Sequence, residues 1–485
     1  MYPELEGLEP ALLWKHFDAI MRIPRCSKHE DAVRKYVVNF AEGQGLEHVQ
    51  DVAGNVVVRK PGTPARENAP GIVLQGHLDM VCEKNADTDH DFSTQGIVPD
   101  RRGDLLYAKG TTLGADNGIG VATAMAILES KDLEHGPIEA LFTVDEETGL
   151  TGAFELEPGF LNGRLMMNLD SEDLGVVTIG CAGGGDTSLK LLLDHDHLQP
   201  HCTEAIIKIS GLKGGHSGVD IHEDRANAIK LLARVMWNVW DLNLSVIDIK
   251  GGDKHNAIPR EAWAHVGFTS GELEELRKAL SDAEIAFRLE YGGLEPDLQV
   301  TLEVLRESEC KCISVASSWR IVELLMAMPH GVWKYSHDIE GLVESSTNLA
   351  AVKVEDDALI VLLSTRSSIV QALEALRGRI EAIANMAGAE VKHANAYPGW
   401  MPNPDSELLS IAKAVHANLF GEVPVVEAIH AGLETGIIGE KFPGMDMISI
   451  GPTIKNPHSP DENIDLTTVP PFWNWVLALL ARLSS

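Results

Sequence analysis

GIVLQGHLDM (71–80), NGIGVATAMAILES (117–130), IEALFTVDEETG (138–149) and RLMMNLDSED (164–173) lie within one stretch of about 100 residues, and their order decides the fold. The apolar runs 71–75, 138–144 and 164–169 read as strands. Between the first two, Ile119, Ala122, Ala126 and Ile127 recur at helical spacing, with Asp116 standing where a helix N-cap is expected. Strand alternating with helix is the signature of a parallel sheet flanked by helices.

The same pattern resumes late in the chain. MDMISI (445–450) reads as a buried strand between the helical stretch SELLSIAKAVHANLF (406–420) and an apolar run from Phe472 to Leu483. That last run is roughly 12 residues, short of the ~20 that cross a bilayer, so it reads as a helix docked on the core. In the middle, strands at 204–210, 244–250, 298–304 and 358–364 alternate with amphipathic helices at 225–240 and 368–388. The expected architecture is α/β: a domain with a mostly parallel sheet flanked by helices, interrupted by an inserted α+β domain. The expected boundaries are 1–187 and 398–485 for the first domain and 188–397 for the insertion, with Gly183, Gly184 and Gly185 as a hinge and 393–405 as the return linker.

Composition narrows the function. The 485 residues carry 40 Lys and Arg against 72 Asp and Glu, a formal charge of −32, with ordinary globular fractions of 44% hydrophobic and 23% charged residues. A surface of that sign repels phosphates and anionic lipid, so neither nucleic acid nor a membrane is an expected partner. The acidic start MYPELEGLEP lacks a basic region followed by an apolar run, which places the protein in the cytoplasm. Six cysteines, Cys26, Cys82, Cys181, Cys202, Cys310 and Cys312, contain no CxxC pair and read as reduced, mostly buried thiols.

There is no HExxH, no GxSxG and no GK[ST] loop. Acids and histidines instead fall just after the strands: His77 and Asp79 in GHLDM, Asp145, Glu146 and Glu147 in DEETG, Asp170 in NLDSED, and His458 in GPTIKNPHSPDE. Ligands of open α/β sheets bind at the carboxyl ends of strands, so these groups should share one crevice with Asp116 of GADNG. Two imidazoles and three carboxylates suit Zn, Mn or Co, and the odd carboxylate can bridge two ions. The expected centre is binuclear, with Asp116 as the bridge, one ion on His77 and Asp170, and the other on Glu147 and His458. Asp79, two residues from His77 on an extended chain, is the expected acceptor that orients the imidazole. Glu146 and Glu147 divide the remaining work, one ligating and one free to move a proton.

GHLDM, GADNGIG, DEETGLTGA, NLDSED, GGHSG, HNAIPRE, HAGLETG and HSPDE, in this order, closely resemble the M20 metallopeptidases, in particular their dipeptidase branch. The resemblance implies two divalent ions, zinc first with manganese or cobalt as alternatives. It implies His77, Asp116, Glu147, Asp170 and His458 as metal ligands, with Glu146 as general base and Asp79 as orienting aspartate. It also implies that the insertion 188–397 is an α+β lid domain on a catalytic domain, that His216 and Asn256 of the lid donate to an oxyanion, and that Arg366 of STRSS and the backbone at Gly432 bind the substrate carboxylate. The implied activity is hydrolysis of unblocked dipeptides, Xaa-His among them, by a homodimer joined through the lid. Thr435 departs from the cysteine often found after HAGLE. Two other readings stay open: an M20 deacylase or carboxypeptidase acting on N-acyl amino acids, and a non-catalytic metal-dependent binding protein of the same fold. About six acids are expected in the crevice, Glu434 being the sixth beside Asp79, Asp116, Glu146, Glu147 and Asp170.

Overall fold

The computed structural model describes residues 1–198, 201–242, 244–307 and 311–485; Cys310 lies outside the described residues. The chain divides into two compact units. The first comprises residues 1–181, 400–428 and 433–485, and the second residues 182–399 and 429–432. Set against the expected boundaries, residues 182–187, 398–399 and 429–432 belong to the second unit.

The first unit is built on an eight-stranded sheet. Its order is Glu47–Gln50, Val56–Lys60, Ile138–Thr143, Ile72–His77, Leu165–Asn168, Asp446–Ser449, Val176–Cys181 and Val425–Ile429. The pairs joining Ile138–Thr143, Ile72–His77, Leu165–Asn168 and Asp446–Ser449 are parallel, whereas Glu47–Gln50 and Val56–Lys60 continue the sheet antiparallel. The central strands are buried along their whole length, as apolar runs without alternation require. Helix Ala115–Glu129 packs on them and is itself buried on nearly every side. Its small residues permit that approach: a Cβ on Gly120 would stand 2.6 Å from the carbonyl oxygen of Leu169.

Helix Val469–Leu483 buries Val469, Phe472, Val476, Leu479, Leu480 and Leu483 at helical spacing and packs on helix Glu407–Phe420, where His416 meets Trp475 edge-on. Among the described residues no helix is long and apolar enough to cross a membrane. A small antiparallel sheet of Ile454–Lys455, Asn463–Asp465, Leu105–Ala108 and Pro99–Arg102 frames the segment 456–462.

Two local expectations are corrected here. Asp116 does not cap its helix with its side chain, because both carboxylate oxygens turn to histidines; Asp116 and Asn117 have non-helical angles, and the regular helix follows them. The reading of all cysteines as thiols also fails, because Cys26 and Cys82 form a disulfide with 5.7 Å between their Cα atoms. They are 56 residues apart, but the segment at Cys26 runs beside Met80, and only the fold brings the two sulfurs together.

In the second unit a nine-stranded antiparallel sheet carries helices Ala228–Asn238, Leu273–Tyr291, Val315–Ala327 and Val370–Met386 around one large core that includes Ile207, Leu232, Leu276, Ile321, Leu363 and Ile380. The glycine run lies inside strand Gly183–Leu192, paired with Ala358–Ser367, and not in a loose hinge. Glycine is needed there because residues 397–399 pass close by. A Cβ at Gly183 would stand 2.4 Å from the nitrogen of Gly399.

Candidate metal centre

In the first unit the parallel register sets three strand ends side by side. His77 closes its strand opposite Thr143, and Gln75 lies opposite Asn168 on the other flank. Glu146 and Glu147 follow Thr143, and Asp170 follows Asn168, so all three reach the same carboxyl edge. Asp116 comes from the start of helix Ala115–Glu129, and His458 from the segment held by the small sheet.

Five side chains meet there. His77 Nε2 lies 3.0 Å from Asp116 Oδ1 and 3.4 Å from Asp170 Oδ1. His458 Nε2 lies 3.1 Å from Asp116 Oδ2 and 3.0 Å from Glu147 Oε2. Each oxygen of Asp116 therefore faces one histidine. The donor atoms of His77, Asp116 and Asp170 lie within 4.8 Å of one another, and so do those of Asp116, Glu147 and His458. Ligands on one tetrahedral ion with bonds near 2.0–2.1 Å are separated by roughly 3.3 Å, so these spacings need little adjustment to hold a metal. Among the described residues Asp170 Oδ1 and Glu147 Oε1 are buried without a hydrogen-bond partner, which leaves two acceptors for a cation.

The charges agree with that fit. Asp116 and Glu147 raise the pKa of His458 to about 11 against the effect of burial. Burial disfavours a charged imidazole at His77, yet Asp170, Asp116 and Asp79 lift its pKa well above the ordinary value. Burial, with repulsion from Asp116 and Glu147, pushes Asp170 up to about 6 although His77 pulls it down. The cluster favours positive charge at its centre. Carboxylates and imidazole nitrogens are the donors that divalent Zn, Mn and Co accept.

Asp79 organises two parts of the site. It lies 3.4 Å from His77 Nδ1, and it accepts the backbone N–H groups of Glu146 at 3.0 Å and Glu147 at 3.1 Å, with the Ser27 hydroxyl at 2.8 Å. One buried carboxylate thus fixes both the imidazole and the turn that carries Glu146 and Glu147. That turn begins at Asp145, whose φ of +52° is in the left-handed region and which the hydroxyls of Thr148 and Thr151 hold. Glu146 groups with His77 and Glu147. Burial and the neighbouring Asp170, Glu147 and Glu434 raise its pKa well above the carboxylate range.

Sequence reasoning missed several residues around this cluster. Gln75 and Thr143 both donate at 2.6 Å to Glu434, whose carboxyl is pushed up to about 8 chiefly by burial. Gln75 also accepts from Asn168. A glutamine in the middle of an otherwise apolar strand was the available signal. Arg25 and Glu462, both buried, hold the backbone of residues 113–116. No spacing rule announces a side chain whose partners are backbone atoms.

In the second unit His216 sits on a two-residue strand paired with Ala257–Ile258, and Ser217 N–H donates to the backbone oxygen of Asn256 at 2.8 Å. The Nδ1 of His216 accepts from the N–H groups of Gly218 and Val219, which puts the proton of the neutral ring on Nε2. Arg366 is buried near the end of strand Ala358–Ser367 and donates to the Tyr397 hydroxyl at 3.1 Å. The backbone at Gly432 lies against the same tyrosine ring. His216, Arg366 and His430 converge on Gly218, where any Cβ would strike the His430 carbonyl oxygen. Tyr397 and His430 were not anticipated.

A model of peptidase family M20/M25/M40 matches residues 73–482. The chain is 38% identical over 481 residues to a cytosol non-specific dipeptidase of Escherichia coli K12, covering 99% of both chains. It superposes on the crystal structure of an aminoacylhistidine dipeptidase from Vibrio alginolyticus with a TM-score of 0.91 and 42% identity, covering 99% of this chain and 98% of that one. A tripeptidase from Staphylococcus aureus shares the fold at a TM-score of 0.57 and 16% identity.

Proposed function

The chain belongs to peptidase family M20/M25/M40 and is a metallopeptidase, and we propose that it is a dinuclear dipeptidase acting on unblocked dipeptides, Xaa-His among them. The observation that carries the reading is the placing of Asp116, with one oxygen toward His77 and the other toward His458, each histidine having its own second carboxylate. His77, Asp116 and Asp170 would hold one ion, and Asp116, Glu147 and His458 the other, zinc being the first candidate and manganese or cobalt the alternatives.

When bound, the metal pair supplies Lewis acidity to the scissile carbonyl and acidifies a water. The protein's own groups do the rest. Glu146, its pKa raised by burial, takes a proton from the attacking water and returns it to the leaving amine. Asp79 keeps the His77 ring and the Glu146 backbone in place. For the second unit we assign carboxylate binding to Arg366 and the Gly432 backbone, and donation to a developing oxyanion to His216 and Asn256. We further propose a cytoplasmic location, which the name of the Escherichia coli relative supports, and a homodimer joined through the second unit.

The test is a substrate panel with and without chelator: alanyl-histidine, other dipeptides, a tripeptide and an N-acetyl amino acid. Dipeptide hydrolysis that chelator abolishes and divalent metal restores is expected, with tripeptides poor. Faster turnover of tripeptides or N-acetyl amino acids would overturn the dipeptidase assignment. Chelator-insensitive turnover would overturn the metal reading.

A further inference from the structure

Glu462 spends both carboxylate oxygens on the backbone of a single turn. Oε2 accepts the N–H groups of Leu113 at 2.7 Å and Gly114 at 2.9 Å, and Oε1 accepts those of Ala115 at 2.7 Å and Asp116 at 3.3 Å. Four successive donors converge because Gly114, at φ +69°, is in the left-handed region, and such turns form a nest for an anion. A Cβ at Gly114 would meet Arg25 Nη2 at 2.6 Å and Met80 Sδ at 2.7 Å. The carboxylate is 1% exposed.

The turn is gripped from its other side as well. The buried Arg25 guanidinium donates to the carbonyl oxygen of Gly114 and to those of Leu78 at 2.9 Å and Asp79 at 2.6 Å. The N–H groups of 113–116 are therefore held by Glu462, and a carbonyl by Arg25. Arg25 at the same time fixes the residues just after His77.

Glu462 also stands four residues after His458, in the short segment between strands Ile454–Lys455 and Asn463–Asp465. Its own N–H bonds back to Ser459, whose hydroxyl bonds to Asn456. The segment that presents His458 is thus tied to the turn that presents Asp116, although the two lie more than 340 residues apart in sequence. Metal ligands held by secondary contacts of this kind lose affinity when the contact is removed.

We infer that Glu462 is a positioning residue which locks Asp116 and His458 at the separation that lets one carboxylate serve two ions. The inference rests on the metal-pair reading above. A mere helix cap would stabilise helix Ala115–Glu129 without any special effect on the second ion. In Glu462→Gln the side chain keeps its shape, but its amide NH2 opposes two of the four N–H groups.

Metal-free parent and Glu462→Gln are titrated with Co(II). Visible absorption reads the affinity of each equivalent, and electron paramagnetic resonance reads spin coupling between the ions. The parent is expected to take two ions with a coupled signal. Glu462→Gln is expected to keep the more tightly bound ion within threefold, to bind the other 10- to 100-fold more weakly, and to lose the coupling. A parent that takes a single ion overturns the metal-pair reading itself. A parent with two coupled ions and a folded Glu462→Gln with unchanged affinities, or with both weakened alike, overturns the role of Glu462 alone. If Glu462→Gln does not fold by circular dichroism, Glu462→Asp carries the test because it keeps both oxygens on a shorter stem. Selective weakening of one ion supports the inference. Behaviour like the parent's, or failure to fold, overturns it.

Discussion

Replacing Asp79 by asparagine removes the charge from a carboxylate that is fully buried and fully used. Its Oδ1 faces the Glu146 N–H and His77 Nδ1, and its Oδ2 faces the Glu147 N–H and the Ser27 hydroxyl. An asparagine has one accepting end. Whichever way the amide turns, one of the two backbone N–H groups faces an NH2, and a buried orphan donor costs about 1–3 kcal/mol. The site also favours the charge itself. Burial alone would push the Asp79 carboxyl up, yet His77, the Glu146 N–H and Ser27 hold it at about 2 against an ordinary 3.8. These contacts therefore favour the charged form against the effect of burial. Since each 1.4 kcal/mol is tenfold, an orphan donor of about 1–3 kcal/mol corresponds to roughly 5- to 140-fold, which brackets the 10–100-fold usual when the partner of a ligating histidine is lost. Zinc affinity is read by competition with a chelator on metal-free Asp79→Asn and its parent, with circular dichroism as the control for folding. An affinity within threefold of the parent's would refute the reasoning, because the contacts at Asp79 would then not be supporting His77.

Glu146→Ala should retain its metal, measured by atomic absorption, while kcat falls about 100- to 10,000-fold as expected for loss of a general base; a variant that loses metal but keeps turnover would exchange the roles of Glu146 and Glu147. The Cys26–Cys82 bond closes a loop with a sequence separation of 56, worth up to about 4 kcal/mol by chain entropy, so a dithiol reductant should lower the thermal midpoint of the parent. Cys26→Ser should melt like the reduced protein and ignore the reductant. His430, buried beside Arg366, has its pKa pushed down to about 3 and stays neutral in the folded chain, whereas the unfolded chain takes up its proton below about 6.5. Its share of stability is therefore complete above pH 6.5 and falls by about 1.4 kcal/mol per pH unit on acidification toward pH 3. Urea unfolding of His430→Gln should show a shallower loss between pH 7 and pH 5, and an unchanged slope would count against the assignment.

What was legible in the sequence follows from how each residue reaches the site. His77, Glu146, Glu147 and Asp170 stand at fixed offsets from apolar strands, and parallel register converts those offsets into proximity without any knowledge of side-chain packing. The ends of Ile72–His77, Ile138–Thr143 and Leu165–Asn168 could be placed within a residue or two because their apolar runs stop abruptly at polar residues. Asp116 is legible as a crevice residue, but an acid just before a helix also reads as a cap. Only the positions of two histidines reveal that its oxygens point elsewhere.

Other features depend on contacts that no periodicity encodes. Arg25 and Glu462 bind backbone atoms, and a backbone amide looks the same at every position in a sequence. The Cys26–Cys82 pairing depends on a loop running beside Met80. The same distinction bears on how the centre is built. The ligands supplied by the sheet are held by a ladder of backbone bonds that many sequences would form, whereas Asp116 and His458 come from turns that need dedicated clamps. Those turns should therefore tolerate substitution least, and Glu462, which touches no ligand side chain, should matter to metal binding as much as Asp79, which does.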